Sequence, residues 1–416
     1  MSSTSALRAA PWTLAAVIVV IALNLRGPIV APAPVIGAIR SDLGISAATA
    51  GLVTTIPVLC FALATPLASW LIGRFSPERA VTASLVVVLL GTVIRSGGSA
   101  AALLIGTAVI GVGITIGNVV IPVVIRRDSS PARVGLVTGV YTSALNVGSM
   151  ITSLGTAPLA TVVGWPVAIA LWGVIVLIAL GAWSVFAGRM AWRSGATVTE
   201  AGRASVPKTG PIDQVLDADA IRRPTNDPNA APVPRAVIVG LLLAFGGQAF
   251  AYYALTAWIP TLLHDRIGFN PASAGASSSV FQILAVVGAL GVPALATRWR
   301  PRAIIALIAV LWVAMPLGLL LAPHLWLVWE ILGGAAQGGG ITVIFIVIVR
   351  LVSNDDQARR TSAVVQGGGY LIGAAGPLVM GGLHEASNAW TVPLLVVFAA
   401  TILLGVAGTA ASRSVR

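Results

Sequence analysis

The chain has 416 residues, of which 57% are hydrophobic and only 9% charged, and its formal net charge is +12. A soluble domain carries about 25% charged residues, so this composition excludes an ordinary soluble protein and indicates lipid as the main surroundings. The distribution of the basic charge argues against a nucleic-acid partner, because most basic residues lie in short segments between long apolar runs.

The apolar runs are long and continuous, which favours helices over the short alternating strands of a membrane barrel. They predict an all-α membrane protein. The first run is interrupted by Asn24 and Arg26 and is too long for a cleavable signal peptide. In chain order the twelve predicted transmembrane helices are 12–36, 47–73, 79–97, 100–125, 133–157, 163–187, 235–263, 272–297, 302–322, 325–350, 358–383 and 390–411.

Most of the 25 basic residues fall on one side of the membrane if the N-terminus is placed inside. The basic residues of the outer segments are then Arg40, Arg95 and Arg266. The positive-inside rule therefore predicts that both termini are cytoplasmic. The single cysteine, Cys60, lies within a helix, so a disulfide framework is not expected.

Residues 188–234 separate the predicted helices into two groups of six. This stretch is rich in Pro, Asp, Arg, Thr and Gly and lacks a sustained apolar period, which predicts a partly disordered cytoplasmic linker. The expected domains are an N-terminal six-helix bundle over residues 1–187 and a C-terminal six-helix bundle over residues 235–416.

The two halves are related by a shift of 224 residues. This shift places "IRSDLGISAATAG" (39–51) on "LHDRIGFNPASAG" (263–275), and it also aligns Asn24 with Gln248. The basic loops "GRFSPER" (73–79) and "TRWRPR" (297–302) fall at equivalent places. Two parallel six-helix repeats, related by an axis along the membrane normal, are typical of transporters.

Polar residues divide the predicted helices into two sets. Asn, Gln, Tyr or charged residues occur inside helices 1, 4, 5, 7, 8, 10 and 11, whereas the interiors of helices 3, 6, 9 and 12 have none. Polar groups in a membrane normally face the bundle interior or a water-filled cavity. The first set is therefore expected to line a central cavity and the second to lie at the periphery.

Arg26 lies midway along the first predicted helix, too deep to reach either surface. No carboxylate is predicted at its depth, because Glu330 lies near the outer surface. Backbone carbonyls freed by the neighbouring prolines remain an alternative partner. An unpaired guanidinium in a cavity favours a small anionic or strongly dipolar solute, since its planar fork of donors suits small oxyanions.

Further polar residues are candidates for the same substrate site. The amides either bind substrate or cross-link helices, and the tyrosines are expected to shape a pocket with their rings and hydroxyls. Tyr253 follows Tyr252 directly and is expected to point elsewhere, while Glu330 is a candidate for coupling transport to an ion gradient. The candidates beside Arg26 are Asn24, Tyr141, Asn146, Gln248, Tyr252, Gln337, Gln366 and Tyr370.

Enzymatic activity is not expected, because the sequence has no metal-ligand cluster and no buried His/Asp/Ser set. The same observation predicts neither a cofactor nor a metal. The alternative to a small-anion transporter is a multidrug efflux antiporter for hydrophobic compounds. Such antiporters usually need a protonatable carboxylate deep in the cavity, and none is predicted here.

Several segments together resemble the cyanate and 2-nitroimidazole transporter family of the major facilitator superfamily. They are "LNLRGP" (23–28), "LVTTIPVLCFAL" (52–63), "VIRRDSSPARVGLVTGVYT" (124–142), "GGQAFAYYALTAWIPTLL" (246–263) and "VVQGGGYLIGAAGPL" (364–378). The resemblance implies a secondary transporter in a bacterial plasma (inner) membrane, with a small anionic or polar aromatic substrate near Arg26. It also implies that the two halves rock around this midplane site, and a monomer is expected.

Overall fold

The computed structural model describes residues 11–129, 131–194 and 233–414, and within these ranges the chain is helical, with no strand. Ten stretches of the described chain are long and apolar enough to cross a membrane. One of them, Arg133–Gly188, contains two helices, and the shorter apolar helix Ala47–Leu63 continues as Thr65–Arg74. The described chain therefore has twelve transmembrane helices, which confirms the predicted fold class.

The helices are numbered by the span they form. Helix 1 is broken into Pro11–Leu23, Gly27–Val30 and Ile36–Leu43, and helix 2 into Ala47–Leu63 and Thr65–Arg74. Helices 5 and 6 lie within Pro131–Leu171 and Gly173–Ser194 and separate at Gly164, whose φ of 75° is not helical, so helix 5 covers residues 131–163 and helix 6 covers residues 165–194. The others are Pro77–Arg95 (3), Ala100–Asp128 (4), Arg235–Ile267 (7), Pro271–Ala296 (8), Pro301–Leu321 (9), Trp326–Leu351 (10), Asp355–Ser387 (11) and Thr391–Ala411 (12).

Helix 6 runs to Ser194, past its predicted end at residue 187. The rest of the predicted linker, residues 195–232, lies outside the described residues. The side of the molecule where helix 6 ends and helix 7 begins is called the linker side below. The side where helices 1 and 2 are joined is called the far side.

The internal repeat is visible in matching helix ends. Helices 1 and 7 both end at a left-handed glycine, Gly44 with φ 60° and Gly268 with φ 73°. The next helices both begin with a capping side chain, since Ser46 accepts from the backbone N–H of Thr49 and Asn270 accepts from that of Ser273. These pairs obey the shift of 224 residues, so the two halves share local backbone chemistry as well as topology.

A pair of tryptophan–aspartate hydrogen bonds also repeats. The indole N–H of Trp165 donates to Asp42 at 2.9 Å, and that of Trp390 donates to Asp265 at 2.9 Å. Each bond ties the far-side end of the first helix of a half to the start of its last helix. The repeated bond fixes corresponding corners of the two bundles.

Helices 3, 6, 9 and 12 each expose large apolar side chains, as expected for peripheral helices that contact lipid. Examples are Leu90 (53% exposed), Val174 (50%), Val310 (66%) and Val406 (64%). Apolar surface of this extent is stable in a hydrocarbon solvent and would be unfavourable in water.

The two halves touch on the far side through helices 2 and 11 and through helices 5 and 8. The Thr55 hydroxyl donates to the Ala374 carbonyl at 2.7 Å, and the Ser153 hydroxyl donates to the Gly275 carbonyl at 3.1 Å. Glu385 adds a further link by accepting from the backbone N–H of Ala47 at 2.8 Å.

On the linker side the same four helices leave large apolar side chains exposed. Leu67 (50%), Leu136 (56%), Leu290 (56%) and Val364 (51%) lie on helices 2, 5, 8 and 11 respectively. The described structure is thus packed between its halves on the far side and more open on the linker side.

Candidate functional site

The site is centred on the break in helix 1. Pro28, Pro32 and Pro34 have no N–H, so the carbonyls four residues earlier receive no ordinary helical hydrogen bond. Residues 24–26 form a turn, and Arg26 has non-helical backbone angles of φ −139° and ψ −35°. The break places Arg26 at a point where the chain leaves one helical segment and enters the next.

The guanidinium of Arg26 has neutral neighbours from both halves of the molecule. Its Nη1 donates to Oδ1 of Asn146 on helix 5 at 2.9 Å, and its Cζ lies 4.6 Å from the ring centroid of Tyr252 on helix 7. The side chain is partly exposed. Within the part of the chain that the structure describes, no carboxylate pairs with it.

Asn146 is held in the orientation that presents its oxygen to Arg26. Its Nδ2 donates to the Thr142 carbonyl at 3.0 Å, and the side chain is buried. One turn earlier on the same helix, the Tyr141 hydroxyl donates to Oδ1 of Asn118 on helix 4 at 3.2 Å. These contacts fix the wall of the site formed by the N-terminal half.

The wall from the C-terminal half is aromatic. The Tyr252 hydroxyl donates to Oε1 of Gln282 at 3.2 Å, which fixes the ring that faces Arg26. Tyr370 on helix 11 packs edge-on against Phe61 and Phe245, with centroid distances of 5.6 and 5.1 Å. A cation over the face of an aromatic ring is attracted by the ring quadrupole, so Tyr252 stabilises the charge without neutralising it.

All four tyrosines of the chain gather around this cation. The Arg26 guanidinium interacts electrostatically with Tyr252, Tyr253 and Tyr370. It also interacts with Tyr141. Tyr253 differs from the expectation that it points elsewhere. Its ring lies 4.8 Å from that of Tyr252, edge-on, and both rings are buried.

The side chains of Gln248 and Asn24 make hydrogen bonds within their own halves. Gln248 accepts from the Trp312 indole at 2.6 Å and donates to the Gln337 carbonyl at 2.8 Å, so it links helices 7, 9 and 10. Asn24 donates to the carbonyls of Val20 at 2.8 Å and Ile175 at 3.4 Å, toward helix 6. These geometries match the cross-linking alternative for the amides more closely than contact with a solute.

The remaining candidates occupy different surroundings. Gln366 is partly exposed on helix 11, while the Gln337 side chain is buried and makes no hydrogen bond to the described residues. Glu330 is fully buried near the far-side end of helix 10, and neither carboxyl oxygen has a hydrogen-bond partner among the described residues. The nearby Ser277 hydroxyl donates instead to the Ala274 carbonyl at 2.8 Å.

The site residues predicted from the sequence do not include three residues that the structure places around the site. Asn118 and Gln282 orient the hydroxyls of Tyr141 and Tyr252, and their position inside predicted cavity-lining helices was an available signal. Arg95 was expected among the outer basic residues, but its side chain is only 1% exposed and donates to the Pro28 carbonyl at 2.6 Å. The sequence alone gives no sign that this side chain turns inward.

Two related six-helix bundles, packed together on one side around a polar site at a broken helix, define a membrane transport protein. The model of the Major Facilitator Superfamily matches residues 13–329, and the chain belongs to that superfamily.

Three relatives are similar along most of their length. The chain is 33% identical over 401 residues to the uncharacterized transporter YycB of Bacillus subtilis (strain 168), covering 95% of this chain and 92% of that protein. It is 32% identical over 402 residues to the 2-nitroimidazole transporter of Escherichia coli (strain K12), covering 96% and 95%. It is 28% identical over 328 residues to the cyanate transport protein CynX of the same organism, covering 77% of each.

Solved structures support the fold. A bacterial homolog of the human lysosomal transporter Spinster, crystallised in an inward-facing and unoccupied conformation, has a TM-score of 0.66 at 16% identity, with coverage of 97% of this chain and 96% of that chain. A D-xylose–proton symporter has a TM-score of 0.68 at 10% identity, with 96% of each chain covered. The family and the fold together place this chain among transporters rather than enzymes.

Proposed function

We propose that the protein moves a small anion or a small dipolar solute across a bacterial plasma membrane, and that this solute binds beside Arg26. The observation that supports the proposal is the surroundings of the guanidinium, which donates to one amide oxygen, lies over the ring of Tyr252 with other tyrosines nearby, and pairs with no carboxylate among the described residues. The remaining donors of the planar fork are suited to a small group with negative oxygens.

The relatives named for their cargo are compatible with one shared chemistry. Cyanate is a compact anion, and a nitroimidazole has a planar nitro group whose oxygens are partly negative. Both present a small negative end to a cation, and a planar ring can also stack among the tyrosines. We therefore propose a cyanate-like or nitro-aromatic substrate class for this chain.

The mechanism we propose is alternating access by rocking of the two halves around Arg26. Arg26 and Asn146 come from the N-terminal half and Tyr252 from the C-terminal half. Rocking of the halves therefore changes the side of the membrane from which the solute can reach the site. With both termini cytoplasmic, the linker side is the cytoplasmic side and the described state faces inward. Both halves of one chain contribute residues to the proposed site, and we propose a monomer as the working unit.

The proposal is tested by transport into proteoliposomes with Arg26→Gln. The panel contains cyanate, nitrate, nitrite, short carboxylates and 2-nitroimidazole, together with hydrophobic drugs. A cargo that uses Arg26 is expected to lose at least roughly tenfold in kcat/KM, equivalent to about 1.4 kcal/mol of binding to the cation. Arg298→Gln, which changes an exposed arginine of the loop between helices 8 and 9, serves as the matched control.

Unchanged transport of every anionic or nitro-aromatic cargo in Arg26→Gln would contradict the proposal. Transport of hydrophobic drugs that does not depend on Arg26, with no transport of the small solutes, would favour the alternative of a multidrug efflux antiporter.

We further propose Glu330 as the group that couples transport to a proton gradient. It is fully buried and its oxygens make no hydrogen bond to the described residues. An ionised carboxylate in such surroundings would lose its hydration without compensation, so the group is retained as the neutral acid until it reaches water. A carboxyl group that gains and loses a proton as the bundles rock is able to couple proton movement to transport.

A further inference from the structure

We propose that Arg95 is a positioning residue for Arg26, because its guanidinium replaces the backbone hydrogen bond that Pro32 cannot donate to the Pro28 carbonyl. In an uninterrupted helix, the carbonyl of Pro28 would accept from the N–H of residue 32. That residue is a proline and has no N–H. Arg95 is the last residue of helix 3, and its Nη1 donates to this carbonyl at 2.6 Å.

The burial of Arg95 indicates a specific role for the bond. The side chain is 1% exposed, and its Nε and Nη2 make no hydrogen bond to any described residue. A buried cation with a single acceptor is costly in a membrane, so a chance packing contact is a poor explanation for its position. The short distance is typical of a charge-assisted hydrogen bond.

The contact lies two residues along the chain from Arg26. The Gly27 carbonyl, between them, accepts from the Thr152 hydroxyl of helix 5 at 3.1 Å. Helices 3 and 5 therefore each hold one carbonyl of the segment that follows the break. Since the backbone angles at Arg26 depend on where this segment is anchored, loss of the Arg95 bond is expected to shift the guanidinium relative to Asn146 and Tyr252.

The inference rests on the proposed function in one respect, which is that the Arg26 guanidinium binds the solute. The anchoring itself can be measured without any solute. Hydrogen–deuterium exchange of peptides that cover residues 23–36 reports on the break, and transport reports on its consequence. A failure of the proposed substrate site would leave the exchange result unchanged, so the two failures are distinguishable.

The test is a double-mutant cycle between Arg95→Met and Pro32→Ala. Methionine retains much of the apolar bulk and removes every donor, whereas alanine at 32 introduces the missing backbone N–H. We expect Arg95→Met to raise exchange at the break and to lower transport at least roughly fivefold, a change of about 1 kcal/mol at the loss of one buried hydrogen bond. The double variant is expected to recover most of both losses, while Pro32→Ala alone changes them little.

Two further variants keep the test decisive. Arg79→Met removes an exposed arginine from the other end of helix 3 and is expected to leave both readouts unchanged. Arg95→Lys retains the charge and one donor and is expected to retain part of the activity. If Arg95→Lys is fully active and Pro32→Ala does not rescue Arg95→Met, the charge rather than the replaced hydrogen bond is what matters, and the proposal is wrong.

Discussion

At the scale of single residues, the site depends on the neutrality of the group that faces Arg26. Asn146 accepts from the guanidinium at 2.9 Å through an amide oxygen, which directs the cation without cancelling its charge. A carboxylate at the same distance would form an ion pair and occupy the donors that the proposed solute would use. The amide therefore lets the site present a net positive charge in the membrane.

Asn146→Asp is expected to abolish most anion transport, because it introduces the carboxylate partner that Arg26 lacks among the described residues. We expect a loss of roughly tenfold or more in transport rate, since an anionic solute must displace the new ion pair. Asn146→Ala removes one hydrogen bond and is expected to lose less. Proteoliposome uptake of cyanate compares the two variants directly, and an Asp variant as active as the Ala variant would contradict the role of neutrality.

At the scale of helices, the sequence predicts the elements well and their irregularities less well. Apolar length predicts the twelve spans, because a helix that crosses lipid must be long and apolar. The prolines predict that helix 1 is interrupted, but not which partner takes each freed carbonyl. The partner of the Pro28 carbonyl is Arg95, at the end of helix 3. The interior of that helix has no Asn, Gln, Tyr or charged residue that would point to such a contact.

The amide candidates show the same limit at the site. Gln248 and Asn24 correspond in the repeat, yet Gln248 bonds to helices 9 and 10 and Asn24 bonds toward helix 6. A polar residue at the right depth is compatible with either a solute or a neighbouring helix. Only the three-dimensional arrangement distinguishes these two kinds of partner. The position of an arginine midway along the first predicted helix, by contrast, can be recognised from the sequence.

Two glycines related by the repeat permit the close approach of helices on the far side. A Cβ at Gly51 would lie 2.6 Å from the Pro377 carbonyl oxygen, and one at Gly275 would lie 2.5 Å from that of Ser153. The shift of 224 residues relates Gly51 to Gly275 and also relates Ser153 to Pro377. The two contacts between the halves are therefore copies of one another, and both require the absence of a side chain.

Gly51→Ala is expected to weaken far-side closure and to favour the state that is open on that side. The added methyl group cannot be accommodated without moving the backbone of helix 11, so we expect a shift of about 1 kcal/mol, roughly fivefold in the population ratio. Spin labels at Ser41 and Ser387, in a Cys60→Ser background, measure the distance between the far-side ends.

Gly139→Ala is the matched control, because a Cβ at this helical glycine meets no atom within 4 Å. We expect the distance distribution to broaden toward longer values in Gly51→Ala and to stay unchanged in the control. A Gly51→Ala variant with the distribution of the parent protein would show that the close contact does not limit closure.

At the scale of the whole molecule, the cation and the candidate coupling carboxyl group lie in different halves. Arg26 is on the broken helix 1, whereas Glu330 is buried near the far-side end of helix 10. Glu330 therefore acts, in the proposed mechanism, through the rocking of the bundles rather than through direct contact with Arg26. In this mechanism Glu330 gains its proton while the far side is open to water, and net proton movement requires that the proton leave toward the linker side before the far side opens again.

Glu330→Gln is expected to abolish solute accumulation driven by a pH gradient and to leave solute exchange intact. Glutamine resembles the neutral acid in size and charge but cannot release a proton, so the variant should lose uptake driven by a pH gradient. Exchange of labelled for unlabelled solute at equal concentrations needs no net proton movement and should persist within about a factor of two of the parent rate.

The matched control is Glu385→Gln, which changes an exposed carboxylate of the far-side contact and tests whether any far-side carboxylate gives the same effect. Because Glu385 accepts from the backbone of Ala47, its loss should alter the exchange rate through far-side closure while gradient-driven accumulation is retained. Accumulation by Glu330→Gln that still follows the imposed pH gradient would exclude Glu330 as the coupling group. Loss of both exchange and accumulation would also count against it, since a neutral side chain at this position should leave the exchange half of the cycle intact.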